Sequence, residues 1–597
     1  MSVVELSSTA TCENRHRGLK TLLQLPFFTR QPALAVNPIS SNAASGVGIS
    51  LPADVLREIT EELSPSDILN VSLTSKHVRM LLTAELYKTV HLRSSRSCKS
   101  GLMMLAGRPE LCAHIQKLTV RPNYYLAWPT RDVRLDEDWV AKKISVIAKT
   151  LTHLRTFDWD GLEMPRDELW LTLRNSCPEL KELFSNVGFQ PLDPESELFK
   201  FSDLASFSLS VRHSLGDTDI FPSHEDLPPQ LWDMILNRCL NLTDLTLCSF
   251  SASHRLFNID RVTEGRWPEL SSLTLGAFGY NSDFTLAAPP AAPFATFLAA
   301  HPSLSYLRLV WNFKRWMSPD ADDKMNLRLP PTLDVFSGIV QQLSGGAGRS
   351  SSLTSLDLMY EPMYPARAPA LCTALRALPM LTNLELWIHV PDPSTGHEVF
   401  FRELWGAAPG LEDVHFMCTT AFGKKPLTEL ALALRLLPRL RTFTLTKGHR
   451  YADESMRRSA LRLFSALLLR SSGAGAAAAD SSQVLTSNFK SPASRLAQVS
   501  VRWARGACRN HLKQEGTYQR VLAPLPPPRS SAGPSSSNSS DTRSGKRKGK
   551  NGEREGKENG IIVEAWERGL RAVGGAFERR YQFEIPPGAG SEGGGSG

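Results

Sequence analysis

A recurring Pro-x-Leu-x-x-Leu-x-Leu unit constrains this chain more than any other feature of it. The unit stands as Pro268-Glu269-Leu270-Ser271-Ser272-Leu273-Thr274-Leu275, as Pro302-Ser303-Leu304-Ser305-Tyr306-Leu307-Arg308-Leu309, and as Pro379-Met380-Leu381-Thr382-Asn383-Leu384-Glu385-Leu386. Looser copies begin their apolar series at Ile115, Leu154, Leu180, Leu204, Leu242, Leu353, Leu411, Leu440 and Leu496. The closing Leu-x-Leu alternates as a short half-buried strand does, with one side chain in and the next out. Helical stretches precede several copies, at 231–236, 294–300, 371–378 and 430–437. Where a proline follows, it ends the helix, because it lacks an N–H and pushes the residue before it out of helical geometry.

A helix, a proline stop and a short strand, repeated about a dozen times, build a parallel sheet on one side of a curved stack with helices on the other. The expected fold class is therefore α/β, with this arrangement over residues 93–515. It resembles the leucine-rich-repeat solenoid, which implies parallel strands on the concave side and helices on the convex side. The spacing departs from a regular repeat, and the Asn that normally follows the strand has Asn312 as its lone candidate. Insertions at 210–229 and 318–331 are expected as surface loops.

Residues 49–92 carry a different pattern. Leu51-Pro52 opens an apolar stripe of Val55, Leu56, Ile59 and Leu63 at helical spacing, with Arg57, Glu58, Glu61 and Glu62 on the wet side. Ser64-Pro65-Ser66-Asp67 breaks it, with Ser66 or Asp67 expected to cap the next helix, and Ile68, Leu69, Val71, Leu73, Val78, Leu81 and Leu82 continue it. A unit of this size buries little core alone, so some apolar surface is left for a partner or for the next domain. The order Leu-Pro, apolar helix, Ser/Asp break and Ser72-Leu73-Thr74-Ser75-Lys76-His77-Val78-Arg79 resembles an F-box, and the closing Leu86-Tyr87 with Val90-His91-Leu92 resembles F-box proteins of fungal type. The resemblance implies that Leu51, Pro52, Val55, Leu56, Ile59, Leu63, Leu69 and Leu73 contribute to a surface for the Skp adaptor, and through it a cullin. Some of these side chains must also hold the three helices together.

The rest of the chain excludes several function classes. There is no phosphate-cradling Gly-x-x-x-x-Gly-Lys-Ser/Thr, no His-Glu-x-x-His and no Gly-x-Ser-x-Gly, so no enzyme, metal or cofactor is expected. None of the 9 cysteines forms a Cys-x-x-Cys pair, and Cys112, Cys177, Cys239 and Cys372 fall where a thiol packs as a small apolar residue. A reducing cytoplasmic or nuclear compartment fits, and no apolar run is long enough to span a bilayer. Of the net charge of +8, residues 1–48 and 529–558 supply +6, leaving little electrostatic warrant for a nucleic-acid surface on the repeats. Lys546-Arg547-Lys548-Gly549-Lys550 reads equally as a nuclear localisation signal or a solvated cluster. The acidic group Asp132, Asp136, Glu137 and Asp138 reads first as a solvated loop. Composition sets the remaining boundaries: a disordered leader at 1–48, a Pro/Ser/Gly/Lys-rich disordered loop at 516–560, a C-terminal cap at 561–587 and a disordered tail at 588–597.

Function is then expected from recognition by residues that alternate with the buried leucines. The period-two rule brings out Thr246, Thr274, Arg308, Asp357, Glu385, His415 and Thr444, with Trp387 on the face of Glu385. Of these, Arg308, Asp357, Glu385, Trp387 and His415 are the candidates for holding a protein target. The F-box resemblance implies a non-catalytic substrate receptor of a Skp–cullin–F-box ubiquitin ligase. The alternative is a leucine-rich interaction scaffold with no role in degradation.

Overall fold

The computed structural model describes residues 53–123, 134–188, 190, 192–211, 227–249, 256–276, 278–279, 293–310, 329–343, 352–390, 397–418, 423–448, 455–468, 496–503, 514–520, 561–570 and 576–585. The expected leader, the tail from 588, Asn312, the Lys546–Lys550 cluster and most of both insertions lie outside them. The chain falls into two compact units, one ending at Leu353 and one starting at Thr354, where a single repeat domain was expected.

The first unit opens with three helices, α1 (Ala53–Glu62), α2 (Pro65–Ser72) and α3 (Lys76–Tyr87). Its parallel strands follow as β1 (Thr89–Leu92), β2 (Lys117–Val120), β3 (Thr156–Trp159), β4 (Glu182–Val187), β5 (Ser206–Val211) and β6 (Asp244–Ser249). A two-residue strand β7 (Phe257–Asn258) comes before β8 (Ser272–Gly276), and β9 (Phe278–Gly279) after it; β7 and β9 pair only with each other. β10 (Tyr306–Val310) and β11 (Val335–Ser337) complete the unit. Each main strand pairs in parallel with the next, from β1 to β6, then β8, β10 and β11. Between them stand α4 (Ser95–Ala106), α5 (Pro109–Cys112), α6 (Glu137–Ala148), α7 (Asp167–Ser176), α8 (Pro229–Asp233), α9 (Ile259–Thr263) and α10 (Pro293–Ala299). α8 runs into a π-helical turn, Met234–Arg238.

In the second unit β12 (Ser355–Met363), β13 (Asn383–Ile388), β14 (Asp413–Cys418), β15 (Thr442–Lys447) and β16 (Gln498–Trp503) are again parallel. They alternate with α11 (Ala368–Arg376), α12 (His397–Gly406), α13 (Lys424–Ala433) and α14 (Met456–Leu468). The sheet then reverses sense, adding β17 (Gln514–Arg520), β18 (Ile561–Leu570) and β19 (Ala576–Ile585) antiparallel. β17 carries ordered chain past the boundary expected at 515, because Tyr518 is fully buried opposite Val499. The segment at 561–585 is two long strands that extend the sheet.

The register explains the motif. In the first unit one unbroken row runs Leu118, Phe157, Leu183, Phe207, Leu245, Leu273, Leu307 and Phe336, and every member is buried. The second unit repeats it with Leu356, Leu384, Val414, Phe443, Val499 and Tyr518. Helix residues close over this face: Trp170 of α7 meets Phe157 edge-on at 6.0 Å, and Trp405 of α12 meets Phe416, two residues along β14 from Val414, at 6.1 Å. The proline stop is a β-turn. Leu180, Leu270, Leu304, Leu333, Leu381, Leu411 and Leu440 each donate their amide to the carbonyl three residues back, which puts Pro178, Pro268, Pro302, Pro331, Pro379, Pro409 and Pro438 at the second turn position, where a fixed φ is favoured.

A second contact links one repeat to the next. The carbonyl of Gln116 accepts the amides of both Arg155 and Thr156, that of Arg155 accepts Lys181 and Glu182, and that of Lys181 accepts Ala205 and Ser206. Ala205, Thr243, Ser271 and Ser305 continue the series, and in the second unit Thr354, Thr382, Glu412 and Arg441 do the same. A carbonyl has two lone pairs, so one oxygen per repeat satisfies two amides of its neighbour without a side chain.

Candidate functional site

The helical module is built around a small core. Leu56 of α1, Ile68 of α2 and Leu82 of α3 are buried together, and Leu63, Val71, Val78, Leu81 and Leu86 pack on them. Ser64 caps α2 by accepting the Asp67 amide at 3.2 Å, with Pro65 in the first turn, and Ser75 caps α3 by accepting the Val78 amide at 3.1 Å. The cap of α2 is therefore Ser64 and not Ser66 or Asp67: only the residue before Pro65 has the extended backbone that a cap needs.

This core divides the residues singled out from sequence. Leu56 faces inward, Leu63 lies against the core, and Leu69 is half-buried. Val55 and Ile59, one helical step from Leu56, remain 40% and 41% exposed, and Leu73 reaches 67%. Met80 on α3, at 72%, is a further exposed apolar side chain that the pattern did not bring out. Leu51 and Pro52 lie outside the described residues. A 35-residue module thus leaves four large apolar side chains in water after its own core is filled, on helices that carry Arg57, Glu58, Glu61, Glu62 and Arg79 beside them. β1 belongs to the sheet and not to the module, which shortens the docking segment expected at 49–92.

The second candidate is the sheet face opposite the buried rows. Asp357, Glu385, His415, Thr444, Ser500 and Thr517 stand in one cross-strand row from β12 to β17. Trp387, Met417, Thr446 and Arg502 form the next. His415 ties them together: Nδ1 meets Glu385 Oε2 at 3.3 Å and Nε2 meets Thr446 Oγ1 at 2.9 Å. Asp357 accepts the Met359 amide at 3.0 Å, and Ser500 Oγ lies 3.4 Å from Thr517 Oγ1. The structure therefore brings together four of the five residues expected to hold a target, while Arg308 stands on β10 in the first unit. They are less accessible than alternation alone implies. Arg308, Asp357 and Trp387 are buried, and the side chains of Glu385 and His415 are only 14% and 15% exposed. Strands lie so close that long side chains in neighbouring repeats cover one another.

Other groups resolve into structural duties. Glu137 sits in the first turn of α6 and its carboxylate accepts the amides of Leu162 and Glu163 at 2.8–3.0 Å, so it binds a neighbouring loop and is not solvated. Asp136 caps the same helix, and Asp138 pairs with Arg166 at 2.6 Å. Burial pushes the thiols of Cys98 and Cys177 up to about 12, which makes them packing groups and not nucleophiles. Asp158, half-buried on β3, is raised to about 6, first by burial and then by the charge of Asp160. Among the described residues no group of three or more His, Cys, Asp or Glu side chains could hold a metal ion, and no helix is long and apolar enough to cross a membrane.

No curated protein matches the chain. Residues 49–87 match the family model of the F-box domain, an interval that ends at the last residue of α3. The match supports an F-box protein, with the three-helix module in an adaptor-binding role in a ubiquitin ligase.

Proposed function

We propose that the chain is the substrate-recognition subunit of a Skp–cullin–F-box ubiquitin ligase. The reading rests on one pairing of observations: the F-box match covers 49–87, and the helices in that interval keep Val55, Ile59, Leu73 and Met80 on the outside. Fully burying an exposed side chain of this size is worth about 1.5–3 kcal/mol, and Val55, Ile59 and Leu73 still have 40%, 41% and 67% of their surface to contribute to a contact. The long run of parallel strands alternating with helices supports reading the remainder as a leucine-rich-repeat solenoid that holds a protein target. Asp357, Glu385, Trp387 and His415 would contribute to that contact from one face of the second unit. Catalysis needs no side chain of this protein, since holding a target lysine near a charged conjugating enzyme raises its effective concentration.

The test separates binding from folding. The full chain is co-purified with the Skp adaptor beside a Val55→Asp/Ile59→Asp/Leu73→Asp variant and a Leu56→Asp variant. The triple variant should lose capture more than a hundredfold while keeping its circular dichroism and melting profile, whereas Leu56→Asp should lose the module's fold as well. Full capture by the folded triple variant, or none by the parent, would refute the adaptor role. On the target side, Glu385→Ala with His415→Ala should leave adaptor capture intact while slowing ubiquitin transfer to any bound substrate.

A further inference from the structure

The repeats carry little of the net charge, but what they carry is not evenly spread. α4 and α6 pack side by side in the first unit, and each turns an apolar face inward: Cys98, Leu102 and Leu105 from one, Val140, Ile144 and Ile147 from the other. Helical spacing fixes what stands on the opposite face. On α4 it is Arg96, Lys99 and Met103, at i, i+3 and i+7; on α6 it is Lys142 and Val146, followed at i+7 by Lys149 where the helix ends. All of these are exposed, Met103 at 53% and Val146 at 62%.

The cations of this face are unpaired. Among the described residues Arg96, Lys99, Lys142 and Lys149 meet no acidic side chain, and α4 contains none. The two acids of α6 are engaged elsewhere: Glu137 holds the amides of Leu162 and Glu163, and Asp138 pairs with Arg166. Lys143 adds a further charge beside them, its ammonium 5.8 Å from the centre of the Trp139 ring. The next helix breaks the pattern, since α7 opens with Asp167 and Glu168 and its Arg174 pairs with Glu197. The cationic face ends at α6.

Unpaired cations call for an anionic partner, and the two apolar side chains decide its kind. Met103 and Val146 lie on the side of each helix farthest from the core, so they project outward beside the charges. A phosphate backbone offers such side chains nothing apolar, and a folded acidic protein needs a matching hollow for each. An anionic bilayer meets both demands: its headgroups draw lysine and arginine to a plane, and the interfacial layer takes projecting apolar groups without a preformed pocket.

We propose that the outer face of α4 and α6 is a docking surface for anionic phospholipid membranes, with Arg96, Lys99, Lys142 and Lys149 on the headgroups and Met103 and Val146 inserted among them. The proposal is independent of what the helical module binds.

Sedimentation with sucrose-loaded vesicles tests it on the full chain. The parent should bind vesicles of about 30% phosphatidylserine in phosphatidylcholine at about 0.1 M salt, ignore pure phosphatidylcholine, and be released as salt rises to about 0.5 M. Each Lys or Arg at such a surface raises partitioning about fivefold, so Lys99→Glu/Lys142→Glu/Lys149→Glu should bind at least about a hundredfold more weakly. Met103→Ser/Val146→Ser leaves every charge in place and should bind about tenfold more weakly. Arg376→Glu/Arg439→Glu/Arg458→Glu makes the same change in net charge at exposed positions of the second unit and should keep the parent's affinity. Circular dichroism checks that each variant is folded. A parent that ignores the anionic vesicles, a lysine or serine variant that binds as the parent does, or a second-unit variant that loses as much as the lysine variant would each overturn the proposal. So would a parent that vesicles do not retain but that binds poly-L-glutamate through the same lysines, which would assign the face to an acidic protein segment.

Discussion

His301 is fully enclosed, and both ring nitrogens are used: Nε2 accepts the Trp267 amide at 3.2 Å, and Nδ1 lies 2.6 Å from the Phe297 carbonyl, to which it donates. That arrangement requires the neutral ring, and burial holds its pKa below the ordinary 6.5. A base depressed in the folded state contributes stability that is complete above its unfolded pKa and is lost as pH falls through the folded one. The first unit should therefore melt at progressively lower temperature as the pH drops below 6.5, and His301→Leu should flatten that dependence. The same variant orphans the Trp267 amide, costing about 1–3 kcal/mol at pH 7.5 by urea unfolding. Asp158 has the opposite sign. Its carboxyl is raised from 3.8 to about 6, so its favourable contribution is present below 3.8 and lost as pH rises through about 6. Asp158→Asn should stabilise the first unit at pH 8 by about 1–3 kcal/mol and have no such effect at pH 3.5. Sequence neighbours show only part of either environment: Phe297 is 4 residues from His301 and Asp160 is two from Asp158, but Trp267 is 34 residues from His301, and Lys117 and Thr119 reach Asp158 from β2.

The element scale was more legible, and the reason is the turn. Leu154, Leu180, Leu204, Leu242, Leu353, Leu411, Leu440 and Leu496 each stand two residues before a strand, as does Ile115, because the apolar anchor closes the turn from which the strand begins. β11 escaped notice although Pro331-Thr332-Leu333-Asp334-Val335-Phe336 obeys the pattern, since Phe336 replaces the second leucine and Ser337-Gly338 truncates the strand. β17 was hidden for a related reason: Gln514-Glu515-Gly516-Thr517-Tyr518-Gln519-Arg520 carries one large apolar residue, and a single inward side chain shows no period. The shared carbonyls couple neighbouring repeats through the main chain, a link that no side-chain pattern reveals. Pro302→Ala should cost only about 0.4–1 kcal/mol, since it frees the unfolded chain and leaves the turn's hydrogen bond in place. Leu273→Ala, in the middle of the buried row, should cost about 2–5 kcal/mol.

At the scale of the whole molecule, two units imply two cooperative transitions. Scanning calorimetry of the full chain should resolve two components, with Leu273→Ala lowering one and Phe416→Ala the other. A single transition lowered equally by both variants would mean that the repeats melt as one block. The repeat pattern runs on both sides of Leu353, so a repeat count gives no reason to divide the chain there. The candidate target face shows the limit of pattern from the other side: alternation placed Asp357, Glu385, Trp387 and His415 on one surface, while their mutual shielding depends on strand spacing and side-chain length.

A single residue, Lys88, separates α3 from β1, and its carbonyl accepts the amides of Gln116 and Lys117 at 2.9 and 3.0 Å. The joint between the module and the first sheet is thus itself the first rung of the carbonyl series, with no slack to act as a swivel. Torque applied to the helices is delivered to the strands without a hinge to dissipate it. The direction in which the module points is a fixed property of the first unit, and lengthening this joint would turn a stiff bracket into a tether.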